Sequence, residues 1–111
     1  MAIVTGGSRL SVERTIAEHD LSEHIAFSIA AEDVINSKPD PECYLAAIKR
    51  MGVDPVTACA VEDTHTGLTA AVSAGLPCDV VPTGLSSHQD FSQARARFHS
   101  LPEWALATLD K

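Results

Sequence analysis

An α/β fold with a mainly parallel sheet is predicted by three features of this 111-residue chain. Short apolar runs of strand length recur along it: "AIVT", "IAFSIA", "ACAV" and "CDVV". Segments with apolar residues at helical spacing stand between these runs, and glycine or proline punctuates the junctions. Strands that alternate with helices pair in parallel through crossover connections. With 45% hydrophobic residues the chain can bury one modest core, so a single domain over residues 1–111 is expected.

The elements follow in order. "MAIVT" is an apolar strand broken at Gly6 and Gly7, and Val12 and Ile16 share one face of a helix from Arg9 to about His19. "IAFSIA" is a second strand, followed by the polar connection "AEDVINSKPDP". Asp40 as capping acceptor and Pro41 at the first helical position start a helix in which Tyr44, Ile48 and Met51 repeat, and Gly52 stops it. "ACAVED" is the third strand. Leu68, Ala71, Val72 and Gly75 then fall at i, i+3, i+4 and i+7 of a helix, and "CDVVP" is the fourth strand. A loop, a short strand near Phe98 and a last helix from Pro102 complete the chain.

Charge and cysteine usage narrow the function. A net charge of −7 with only 8 unclustered Lys and Arg opposes binding to nucleic acid or to an anionic membrane surface. No apolar run approaches the roughly 20 residues needed to span a bilayer, and no secretory-type leader precedes the first strand, so the cytoplasm is the expected location. Cys43, Cys59 and Cys78 show no metal-type spacing with the histidines and are expected to be reduced and mostly buried.

In parallel sheets ligands gather outside the carboxyl ends of the strands. Thr5, Gly6 and Gly7 follow the first strand, Lys38 the second, Glu62 and Asp63 the third, and Thr83 and Gly84 the fourth. A hydroxyl beside helix-N-terminal amides suits phosphate oxygens, and adjacent carboxylates suit a hard cation. Each residue has a simpler role as well: Gly6–Gly7 as a turn, Lys38 as a solvated loop lysine, Asp63 as a helix cap, His65 as an exposed loop histidine rather than a substrate donor. Their common position on one rim favours an anion site beside a metal site.

The opening "VTGGSR" also looks like a dinucleotide-binding turn. That reading fails because Leu10, Ser11 and Val12 stand where further glycines must admit the cofactor, and Tyr44 and Lys49 are one residue too far apart for a Tyr-x-x-x-Lys pair. A receiver-like signalling domain is opposed by order, since Lys38 precedes the acidic pair.

The ordered set "AIVTGGS", "SKPDPECYLAAIKRMG" and "AVEDTHTGLTAAVSAGLP" resembles the second, third and fourth motifs of the haloacid dehalogenase superfamily, and "HQDFSQARARFHSL" looks like the tail of its beta-phosphoglucomutase-like branch. The resemblance implies a Rossmann-like three-layer α/β/α core and Mg2+-dependent phosphoryl transfer on a small phosphorylated metabolite. By it, Thr5 with Gly6 and Gly7 binds the transferring phosphoryl group, Lys38 is the catalytic cation, and Glu62 and Asp63 supply Mg2+ coordination.

One departure matters. The family's nucleophile is an Asp in an Asp-x-Asp motif after a central strand, and Asp33, Asp40, Asp54, Asp79, Asp90 and Asp110 all lack that setting. The chain therefore resembles the C-terminal portion of such an enzyme, without the motif-one strand or the cap domain. It is expected to be inactive alone, and to self-associate or be complemented by the absent N-terminal part, because the strands flanking the gap would expose unpaired edges. A catalytically silent phosphate- and metal-binding module is the alternative.

Overall fold

The structure, a computed structural model, describes residues 1–20 and 22–108; Asp110 and the end of the expected last helix lie outside them. The elements are β1 (Ala2–Val4), α1 (Arg9–Glu18), β2 (Phe27–Ile29), a 3-10 turn (Ala31–Asp33), α2 (Glu42–Met51), a second 3-10 turn (Pro55–Thr57), β3 (Ala60–Glu62), α3 (His65–Ser73), β4 (Cys78–Val80), β5 (Ala96–Arg97) and α4 (Leu101–Thr108). The predicted order holds, with boundaries moved by a residue or two, as helix and strand ends commonly do.

Local chemistry accounts for the boundaries. Ser8 caps α1 by accepting from the Ser11 amide at 3.1 Å. At the start of α2 the N-cap is Pro41 rather than Asp40; the Asp40 carboxylate still accepts from the Glu42 amide at 2.9 Å. Gly52 closes α2 in the left-handed region at φ 67°. Gly75 departs from its expected place on the core face of α3: the helix ends at Ser73, and Gly75, at φ 86°, makes the turn into β4.

All pairings are parallel, β1 with β2, and β3 with β4 with β5. They form two sheets, because β1 and β3 share no ladder. In β4, Cys78 and Val80 belong to the main core with Leu68 and Ala71 of α3 and Tyr44 and Ala47 of α2. Side chains alternate along a strand, so Asp79 points to the other face, where Trp104 of α4 reaches it at 2.8 Å. The same alternation in β2 sends Ile29 into that core and Ser28 to Arg9 of α1. Helices thus cover both faces, which is the three-layer α/β/α architecture. Helix α2 packs on β1 and β2, α3 packs on β3 and β4, and α2 meets α3 between them.

All three cysteines are free, but Cys59 is exposed rather than buried. Burial and the nearby Glu62 charge push the Cys78 thiol up to about 12. No helix among the described residues is long and apolar enough to cross a membrane.

Candidate functional site

The carboxyl ends of β1, β3 and β4 open onto one cleft of about 900 Å³. Thr5, Gly6, Lys38, Glu62, Asp63, Thr83 and Gly84 all line it, so the residues expected on a common rim do converge. Gly7 is the exception. It does not line the cleft, and its amide donates to the Thr5 hydroxyl at 3.0 Å in a local turn.

The N-terminus of α1 is likewise not free for an anion. The Arg9 amide donates to both carboxylate oxygens of Glu32, at 2.8 and 3.1 Å, and the Ser11 amide goes to Ser8. A protein carboxylate thus already takes the Arg9 amide of the helix beside which Thr5, Gly6 and Gly7 were expected to cradle a phosphate. What remains on this side of the cleft is the Thr5 hydroxyl, which accepts from Gly7 and keeps its own proton to donate, and the Gly6 amide.

Lys38 sits at the seam between the two sheets. Its ammonium donates to Glu62 Oε2 at 2.7 Å and to the carbonyl of Val4, the last residue of β1, at 3.1 Å. An ammonium has three donors, so one N–H is left for the cleft. The loop before it is held by Glu42, whose carboxylate accepts from the amides of Ile35 (2.7 Å) and Asn36 (3.0 Å). Those two backbone bonds draw the Glu42 carboxyl below its ordinary value.

Glu62 is buried at the end of β3, and its Oε2 takes a second donor, the hydroxyl of Tyr44 on α2. Burial, then the adjacent Glu62 charge, pushes the Tyr44 phenol up, so it stays a donor. Among the described residues nothing donates to Glu62 Oε1. Asp63 is exposed on the cleft, and it does not cap α3: Thr64 does, accepting from the Gly67 amide at 3.1 Å. The Asp63 backbone is pinned from the turn that follows β4, where the Ser86 hydroxyl donates to its carbonyl at 2.6 Å. Asp63 and the unused oxygen of Glu62 are thus two adjacent hard-oxygen donors. That is enough to begin a Mg2+ site, since this ion keeps several waters and takes one or two carboxylates. Among the described residues no group of three or more candidate ligands exists.

His65 lies outside the cleft lining, its amide bonded to the Gln89 side chain and its Nδ1 2.7 Å from the Asp90 carbonyl. Sequence reasoning missed His99 and Leu101, which line the cleft from the C-terminal segment, and the contact of Tyr44, weighed there only as a helix-face position and as a rejected Tyr-x-x-x-Lys member, with Glu62. A buried tyrosine hydroxyl must find a polar partner. That was the one available signal for Tyr44.

A family model described as haloacid dehalogenase-like hydrolase matches residues 1–75. The chain is 35% identical to protein CbbY of Cereibacter sphaeroides, over 99% of this chain and 50% of that protein. It is 32% identical to hexitol phosphatase B of Escherichia coli O157:H7, over 83% of this chain and 42% of that protein. Among solved structures, CbbY from Rhodobacter sphaeroides in complex with phosphate superposes with a TM-score of 0.73 at 36% identity, covering 81% of this chain and 40% of that one. The chain spans half or less of the length of these relatives.

Proposed function

The chain belongs to the haloacid dehalogenase-like hydrolase family, and from that premise we propose that it forms the phosphate- and Mg2+-binding part of a phosphohydrolase or phosphomutase acting on a small phosphorylated metabolite. The observation that carries this reading is the convergence of Thr5, Lys38, Glu62 and Asp63 on one cleft. The phosphate-bound relative and the phosphatase named among the relatives support the substrate class.

Each residue has a definite task in this reading. The Thr5 hydroxyl and Gly6 amide donate to phosphoryl oxygens, and the third N–H of Lys38 neutralises a further one. Lys38 also fixes the Glu62 carboxylate in place by direct contact. Asp63 and Glu62 Oε1 would hold Mg2+, which when bound would supply positive charge to screen the phosphoryl group toward an attacking carboxylate. The attacking carboxylate would come from outside this chain, on a strand entering between β1 and β3, whose facing edges are unpaired with each other. A second copy of the chain could satisfy the same edges, so self-association accompanies this reading.

Titrating the chain with inorganic phosphate, and separately with Mn2+ as a Mg2+ surrogate, tests it. Thr5→Val is expected to weaken phosphate binding by about 10-fold or more, the worth of a hydrogen bond to a charged group. Asp63→Asn should weaken Mn2+ binding by at least about 10-fold, and neither preparation should hydrolyse phosphate esters. A folded chain that binds neither ion would sink the proposal. Ester hydrolysis by the 111-residue chain, lost in Asp63→Asn, would show instead that it carries its own nucleophile.

A further inference from the structure

Tyr44 and Gly67 do not belong to the anion and metal site as described, yet both touch the Glu62 carboxylate. Tyr44 is 6% exposed on α2, and its hydroxyl donates to Glu62 Oε2. Its ring lies under the Lys38 ammonium, 5.2 Å from Nζ to the ring centroid, within range of a cation–π attraction. One phenol therefore contacts both members of the Lys38–Glu62 pair. From the opposite side Gly67 of α3 approaches so closely that a Cβ there would stand 1.8 Å from Glu62 Oε1 and 2.3 Å from its carboxyl carbon. No side chain fits in that space.

We propose that Tyr44 is a positioning residue and, together with the bare backbone of Gly67, clamps Glu62 in one rotamer. The clamp commits Oε2 to Lys38 and Tyr44 and leaves Oε1 as the oxygen offered to a divalent cation. The inference rests on the metal-site reading above and deepens it, because it assigns the two oxygens of one carboxylate to different tasks. Without the phenol, Lys38 alone would hold Oε2, and the carboxylate could rotate to give the ammonium both oxygens. Without the space at Gly67, the carboxylate would be driven off its place on the cleft floor.

Mn2+ affinity at fixed pH, read from the electron paramagnetic resonance of the free ion, tests the clamp on the full chain. Tyr44→Phe should weaken Mn2+ binding on the order of 10-fold, as loss of a partner behind a ligating carboxylate does. Gly67→Ala should do the same with the phenol intact. Leu45→Ala, next to Tyr44 on α2 but half exposed, should leave the affinity unchanged. An equal loss in Leu45→Ala would mean that loosening of α2 was responsible and would overturn the clamp. Wild-type binding with unaltered affinity in Tyr44→Phe overturns the clamp alone, whereas no binding by the wild type overturns both the clamp and the metal site. If Tyr44→Phe loses its native circular dichroism, unchanged affinity in folded Gly67→Ala overturns the clamp in its place.

Discussion

Lys38→Met is expected to destabilise the domain by about 3–5 kcal/mol, the cost of breaking a buried ion pair from one side. The Lys38 and Glu62 side chains are 17% and 7% exposed, so the carboxylate left behind has little access to water. The substitution also strips a donor from the Val4 carbonyl at the edge of β1. Among the described residues Tyr44 would be the one remaining hydrogen-bond donor to a buried charge. For a chain of this size the loss is a large fraction of a typical total of about 5–15 kcal/mol, and the variant should be mostly unfolded or melt without cooperativity. Urea denaturation monitored by circular dichroism measures it. Adding Glu62→Gln to Lys38→Met should recover part of the loss, since the orphaned charge is then gone. A cost under about 1 kcal/mol in the single variant would mean the pair is screened like an exposed one, and the seam would need another explanation.

Asp79→Asn is expected to cost about 2–4 kcal/mol and to make stability less sensitive to acid. Asp79 is 1% exposed in the middle of β4 and accepts from Arg95 Nε at 2.9 Å, Arg95 Nη2 at 2.7 Å and Trp104 Nε1 at 2.8 Å. An asparagine would turn an N–H2 toward those donors, leaving buried groups unsatisfied. Burial works against ionisation here, but the Arg95 and Trp104 hydrogen bonds and the Arg95 charge outweigh it and hold the carboxyl below its ordinary value. A carboxyl lowered on folding adds stability above its unfolded value of about 4, and that stability is lost as the pH falls through the lower folded value. The wild type should therefore lead Asp79→Asn by its full margin at pH 6, with the margin shrinking below about pH 4. A margin constant from pH 6 to pH 2 would remove the charge from the account.

Helices α2 and α3 were legible because their apolar residues repeat at helical spacing and Gly52 marks a stop. Lys38, Glu62 and Asp63 were legible as neighbours because parallel strands align their carboxyl ends, whatever the side chains. The N-terminus of α1 was not. A sequence shows that its amides need partners, and nothing in it says that Glu32, 23 residues on, will take the Arg9 amide before any ligand does. Gly75 misled for a related reason: its spacing fits the helix face, but the backbone uses its freedom at φ 86° to leave the helix. The division of the Glu62 oxygens needs two helices packed against one strand end, a relation that no spacing within a single element encodes.

The two sheets are joined by side chains and helix packing, with no backbone ladder from β1 to β3. Ladder bonds lock neighbouring strands into one cooperative block, whereas a seam held by an ammonium and by the contact between α2 and α3 can part while each side keeps its own hydrogen bonds. The expected cooperative units are therefore two, β1 with β2 and β3 with β4 and β5, meeting through the core that α2 and α3 share. Subglobal opening along that seam would pull Thr5 and Lys38 away from Asp63 without melting either half, so an anion and a cation bound across the cleft as proposed would act as the missing rungs and are expected to slow native-state amide exchange in both halves.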